Sequence, residues 1–207
     1  MTRRMTWRGR LAGIALVVLA MSGSAAGPPP TGMARFVGVP LAPLATAPGE
    51  PPFATLYVSA TVAVTATEAG SSHVATRLWM HGDPAELGPL YTAPVPHGVE
   101  VGRLDAMPEG HAIPAGISNG WTPVELDGYV PANAVVDSLD RVWKLAELNY
   151  ETTCNDCHMP HEPNEYSPMQ WGMIMPRMAR FAKLLPNEEM SILKWLQNTS
   201  ATSETRR

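Results

Sequence analysis

The sequence predicts an α+β chain with two folded parts, a small β domain followed by a small all-α domain. Three observations predict it. Short runs of β-branched and aromatic residues, punctuated by glycine, fill residues 53–134. Beyond residue 134 the spacing of apolar residues changes to steps of three and four, the period of a helix. The only two cysteines, Cys154 and Cys157, stand at the end of the first helical run, with His158 directly after them.

Residues 1–26 read as a cleavable secretory signal. Arg3, Arg4, Arg8 and Arg10 precede an apolar run at 11–21, and Ser24, Ala25 and Ala26 supply the small side chains that a signal peptidase needs. The run is short against the roughly twenty residues that a membrane-spanning helix requires. Export to the periplasm is therefore expected, with a mature chain starting near Gly27 and no membrane anchor once the signal is removed. The Arg3-Arg4 pair is the ordinary basic end of such a signal, since the residues after it match a twin-arginine signal poorly.

Residues 27–52 are rich in proline, alanine and glycine and poor in large apolar side chains, the composition of an extended linker. The chain carries a net charge of −4, and loss of the arginine-rich signal makes it more acidic. No basic stretch remains to suggest a nucleic-acid partner.

Within 53–134, Leu56-Tyr57-Val58, Val62-Ala63-Val64 and Leu78-Trp79-Met80 are short strand-forming runs, and Gly82, Gly88, Gly98, Gly110, Gly116 and Gly120 mark turns between them. Leu90-Tyr91, the runs at 99–104 and 110–113, and the stretch at 121–130 continue the pattern. This second half resembles a bacterial SH3-like barrel, whose last strands carry a tryptophan, a valine, a turn and then glycine beside an aromatic, here Trp121, Val124, Gly128 and Tyr129. Trp121 and Tyr129 are expected to pack the barrel and its turns, and the domain is assigned no chemistry.

Leu139, Val142, Trp143, Ala146 and Tyr150 place one apolar stripe on a helix that runs toward Cys154. Ser167 and Pro168 form a cap and first residue for a short helix carrying Trp171, which Pro176 is expected to end or kink near Met175. A closing helix is expected over 186–197, with Pro186 in its first turn and Glu188 and Glu189 at the positive end of its dipole. Residues 199–207 read as a polar, frayed tail.

Cys154-Asn155-Asp156-Cys157-His158 is the attachment pattern of haem c, in which two thiols bond the haem vinyl groups and the adjacent imidazole takes the iron. Two other chemistries compete for it. A structural zinc site needs two further ligands and there is no second cysteine pair, although His161 is near. A dithiol redox pair belongs beside a βαβ unit, which the flanking pattern lacks. One covalent haem c is therefore expected, with His158 as proximal iron ligand.

The second axial position is expected to fall to methionine, for which Met169, Met173, Met175, Met178 and Met190 are available. Met178, just past the expected break at Pro176, suits a loop that brings sulfur to the distal face; Met175 is the alternative. His161 follows the proximal ligand too closely to reach the opposite haem face and is expected at the solvent edge.

The elements at 138–198 resemble the single-haem domain at the C-terminal end of the multihaem cytochromes that serve periplasmic trimethylamine-N-oxide reductases. The matching residues are Cys154 to His158, Gln170-Trp171, Met178, and the closing helix with Glu188, Glu189, Ile192 and Leu196. An SH3-like segment precedes the haem domain in those proteins too. The resemblance implies a small all-α cytochrome c-like haem domain after the SH3-like barrel. It also implies electron transfer without catalysis, to or from a partner oxidoreductase such as a periplasmic reductase or a membrane cytochrome. The sequence departs from that family in having one haem motif and no multihaem module with its membrane helix. A haem-based sensor or small-ligand binder that signals through the SH3-like domain is the competing reading.

Overall fold

Strand formation begins well before the glycine-rich region, because the proline-rich stretch alternates small apolar residues that are buried. The structure is a computed structural model that describes residues 31–68, 70–83, 86–93, 98–108 and 119–205. The signal peptide expected at 1–26 and the strand expected at 110–113 lie outside the described residues.

Among the described residues nine strands are present: β1 (Met33–Val37), β2 (Leu41–Ala45), β3 (Pro52–Tyr57), β4 (Thr61–Glu68), β5 (Ser71–His81), β6 (Pro89–Tyr91), β7 (Glu100–Leu104), β8 (Trp121–Pro131) and β9 (Val135–Val136). They form one antiparallel sheet in the order β6-β7-β3-β2-β8-β5-β4-β1-β9. A pairing of Trp79 on β5 with Tyr91 on β6 closes β6, β7, β3, β2, β8 and β5 into a six-stranded barrel. The long β5 allows this: β8 covers one of its edges along the whole length, and the other serves β4 in its first half and β6 near its end.

The period-two pattern sets which side faces inward. On β5, Ser72, Val74, Thr76, Leu78 and Met80 are buried while the residues between them are half-buried. The core also takes Ala42 and Leu44 from β2, both fully buried. Residues 33–45 are thus part of the sheet and not a linker. Pro43 is tolerated because β2 pairs with β8 only at Ala45–Tyr129, leaving that edge sparsely bonded. Gly128 has a packing reason: a Cβ there would lie 2.5 Å from the carbonyl oxygen of Ala45, so only glycine lets β8 approach β2 this closely. Trp121 is buried and meets His81 and Tyr91 edge-on.

Three α-helices follow: α1 (Asp140–Cys154), α2 (Pro168–Ala182) and α3 (Pro186–Thr205). None among the described residues is long and apolar enough to cross a membrane. Their shared core is Ala146, Tyr150, Trp171, Met175, Ile192, Trp195 and Leu196. Ser167 caps α2 and exchanges bonds with Gln170 in a capping box. Pro176 does not end the helix, which continues to Ala182 and stops where Lys183 adopts a left-handed conformation. Proline inside a helix costs about 3 kcal/mol, and burial of Trp171, Met175 and Ala179 along one face offsets it.

The polar end of the chain is helical as well, through Thr205, and polar groups up to Ser200 find partners. Asn198 donates to Ser59 Oγ at 3.2 Å, in the turn between β3 and β4, and Ser200 Oγ donates to the carbonyl of Gln197. Lys194 is 2 % exposed; its ammonium donates to Gln197 Oε1 at 3.0 Å and lies 5.3 Å from the centre of the Tyr57 ring. α3 is therefore keyed to the sheet. The expected plan of a small SH3-like barrel followed by a small all-α cytochrome c-like haem domain is overturned: among the described residues the chain is mostly a nine-stranded sheet with a closed six-stranded barrel, accompanied by three α-helices. The reason is the burial of residues 33–45, which enlarges the sheet, and the polar key that ties α3 to it.

Burial pushes the Lys194 ammonium down to about 8, against a weaker opposing pull from Glu100. A lysine whose folded-state pKa is depressed holds fewer protons folded than unfolded above that value, so stability rises with pH there. Unfolding free energy is expected to increase by about 1 kcal/mol between pH 8 and 9. Above that window Tyr57, Tyr91 and Tyr150, all raised by burial, act in the opposite direction. Urea titrations at several pH values check this, and Lys194→Met is expected to remove the rise.

Candidate functional site

The cysteine-histidine motif leaves the end of α1 as a single turn of chain. Cys154 is the last residue of the helix and Asn155 its C-cap, still in helical conformation, so the chain turns tightly through Cys157. Cys154 is half-buried and Cys157 exposed.

That turn opens on a cleft of about 260 Å³. α1 contributes Tyr150, Thr153 and Cys154; the turn and the loop after it contribute Cys157, His158, His161 and Tyr166; α2 supplies the opposite wall with Trp171, Ile174, Met175, Met178, Phe181 and Ala182. The α2 residues recur at steps of three and four, one face of an uninterrupted helix. Of the five candidate methionines only Met175 and Met178 line the cleft. Met175 is buried and Met178 is 37 % exposed, one turn further along α2. Met178 is thus on a helix, not in the expected loop, because Pro176 leaves the helix intact.

Hydrogen bonds hold the loop opposite α2. The Tyr150 hydroxyl donates to the carbonyl of His161 at 2.8 Å, and the Trp171 indole N–H donates to the carbonyl of Pro163 at 2.8 Å. Glu165 accepts from the backbone N–H of Glu162 at 2.9 Å and pairs with Nδ1 of His161 at 2.7 Å. Those two contacts, the backbone bond first, hold the Glu165 carboxyl below its usual range. His161 is half-exposed at the rim. Burial, and secondarily a charge on Cys154, hold the Tyr150 hydroxyl far above its usual range.

His158 Nδ1 lies 2.9 Å from the carbonyl of Met159. A carbonyl only accepts, so Nδ1 donates in this contact, and Nε2 is the ring nitrogen left to face a ligand. The Cys154 thiol is pushed up by burial and by the neighbouring Cys157 charge, the reverse of the depressed thiol that a dithiol redox pair uses. Among the described residues no group of three or more His, Cys, Asp or Glu side chains converges as a metal site.

The stripe Trp171, Ile174, Met178 and Phe181 was present in the sequence as a helical period, but the expected break at Pro176 hid its continuity. Tyr166 as a wall of the cleft left no local signal, since its place depends on the loop bonds.

No protein-family model matches the chain, and no solved structure matches it. Two curated relatives do, the "Cytochrome c-type protein TorC" of Escherichia coli O157:H7 and of Escherichia coli strain K12. Each is 29% identical over 84 residues, 40% of this chain and 22% of the relative, so the match spans about a fifth of the relatives' length. Over that stretch the chain resembles a cytochrome c-type protein.

Proposed function

We propose that this is an exported, periplasmic single-haem c-type cytochrome that carries electrons to or from a partner oxidoreductase. The observation that carries the reading is that one apolar cleft gathers Cys154, Cys157 and His158 with Met175 and Met178. A trimethylamine-N-oxide-type terminal reductase is the partner class that the sequence resemblance suggests.

The residues fit a haem. Cys154 and Cys157 offer two thiols from one turn, and His158 presents Nε2, the ring being oriented through Nδ1 by the Met159 carbonyl. Trp171, Ile174 and Phe181 supply apolar wall and keep water from that side of the cleft. Met178 is the distal ligand of this reading, with Met175 as the alternative. When bound, the haem supplies a one-electron iron couple, and methionine ligation places it at comparatively high potential. The chain's own part is to hold the group by two thioethers, fill both axial positions and so leave no site open for a substrate.

Absorption spectra of the protein expressed with haem-attachment machinery test this. The expected result is one haem per chain that survives denaturation, and a methionine-sulfur band in the oxidised form that Met178→Ala abolishes and Met169→Ala leaves intact. Loss of the band in Met175→Ala alone would move the ligand to Met175. Rapid carbon monoxide binding by the reduced wild-type protein would instead favour a small-ligand binder, and the absence of covalent haem would sink both.

A further inference from the structure

The described basic residues divide into two groups. Arg35, Arg77, Arg103 and Lys144 each pair with a carboxylate, and Lys194 is buried against Gln197 and Tyr57. The side chains of Arg141, Arg177, Arg180 and Lys183 make no ion pair or hydrogen bond. Three of these four fall within seven residues at the end of α2, all exposed, in a chain of net charge −4. They alternate with the cleft-lining residues Met178, Phe181 and Ala182. Phe181, the aromatic of that lip, is 79 % exposed. The dipole of α2 favours cations in its last turn and accounts for Arg180 and Lys183, but Arg177 stands further inside, where no local term asks for a free guanidinium. No acidic residue occurs on α2 to neutralise it, and the nearest carboxylate beyond Lys183, that of Glu188, is engaged by the backbone N–H of Leu185.

We propose that the α2 lip, Arg177, Arg180 and Lys183 around Phe181, is the docking face for an acidic patch on a redox partner protein. The proposal deepens the function proposed above and rests on it, since this lip borders the cleft assigned to the haem. Complementary charge around an apolar centre orients an encounter and raises its rate, and releases the partner readily at moderate salt. An anionic bilayer is the lesser occupant, because three cations and one aromatic are a small footprint for holding a net-acidic chain on a membrane.

The test uses the mature full-length protein with immobilised poly-L-glutamate as the acidic polypeptide and, separately, phosphatidylglycerol vesicles. Binding to poly-L-glutamate is expected at low salt, falling with ionic strength. It is expected to weaken about tenfold in Arg177→Gln/Arg180→Gln/Lys183→Gln and to be unchanged in Arg141→Gln, with matching circular dichroism spectra for all three proteins. In haem-loaded samples, oxidation of the reduced protein by ferricyanide is expected to slow as salt rises, although a net-acidic protein taken as a whole would show the opposite slope. No binding to poly-L-glutamate, equal loss in Arg141→Gln, or vesicle binding as tight as polypeptide binding would each overturn the proposal. Haem absorbance of the same samples reports separately on the electron-transfer reading: haem present without a charge-dependent face overturns only the docking proposal.

Discussion

Replacing both cysteines in Cys154→Ala/Cys157→Ala is expected to abolish covalent haem completely and to lower the melting temperature of the helical layer by roughly 10–20 °C. The physical reason lies in what the cleft leaves uncovered. The helical core holds seven buried residues, while Phe181 and Met178 turn large apolar surface toward the cleft. Fully covering one large apolar side chain is worth roughly 1.5–3 kcal/mol, and since Met178 is already mostly covered, a bulky apolar cofactor that covers both contributes roughly 2–4 kcal/mol. A small helical layer has little to replace it. Differential scanning calorimetry beside denaturing gels stained for haem reads both effects. A cooperative melt at the wild-type temperature would contradict the stability half, and covalent haem in the double variant would contradict the attachment itself.

The second large effect is expected at Trp171. It is 2 % exposed, meets Tyr166 edge-on at 5.0 Å and Tyr150 at 6.3 Å, and donates its indole N–H to Pro163. Trp171→Ala removes a ring from the centre of the helical core and leaves a carbonyl without its donor, at a cost of about 3–5 kcal/mol. Trp171→Phe keeps most of the packing and loses the hydrogen bond, so a cost of about 1–2 kcal/mol is expected. Urea unfolding followed by far-ultraviolet circular dichroism distinguishes them. A cost below about 1 kcal/mol for Trp171→Ala would show that the helices do not depend on this contact.

Legibility in the sequence followed the range of each interaction. The start of α2 was readable because Ser167, Pro168 and Gln170 act on their own backbone within four residues. The apolar stripe of α1 was readable because burial of Ala146 and Tyr150 imposes the helical period directly. Residues 33–45 were misread because proline and alanine carry weak local preference, and Ala42 and Leu44 acquire their burial only from partners on β3 and β8. Pro176 was misread for a related reason: its local penalty is real, but the packing that outweighs it comes from α3, distant in sequence. Lys194, Gln197, Asn198 and Ser200 look like solvated helix surface, yet the barrel turn at Ser59, the ring of Tyr57 and the α2 carbonyl of Pro168 bury or bind them.

The sequence by itself determined the motif Cys154-Asn155-Asp156-Cys157-His158, its place at the end of a helix, and the supply of methionines after it, since these depend on residue type and on spacing within a few turns. Only the tertiary structure decided that the β part is a nine-stranded sheet closed into a six-stranded barrel, that α3 is keyed onto it, and that Met175 and Met178 alone among those methionines share a cleft with the motif. Strand closure, burial of a polar helix face and convergence on a cleft all join residues far apart along the chain, and no local preference encodes those distances.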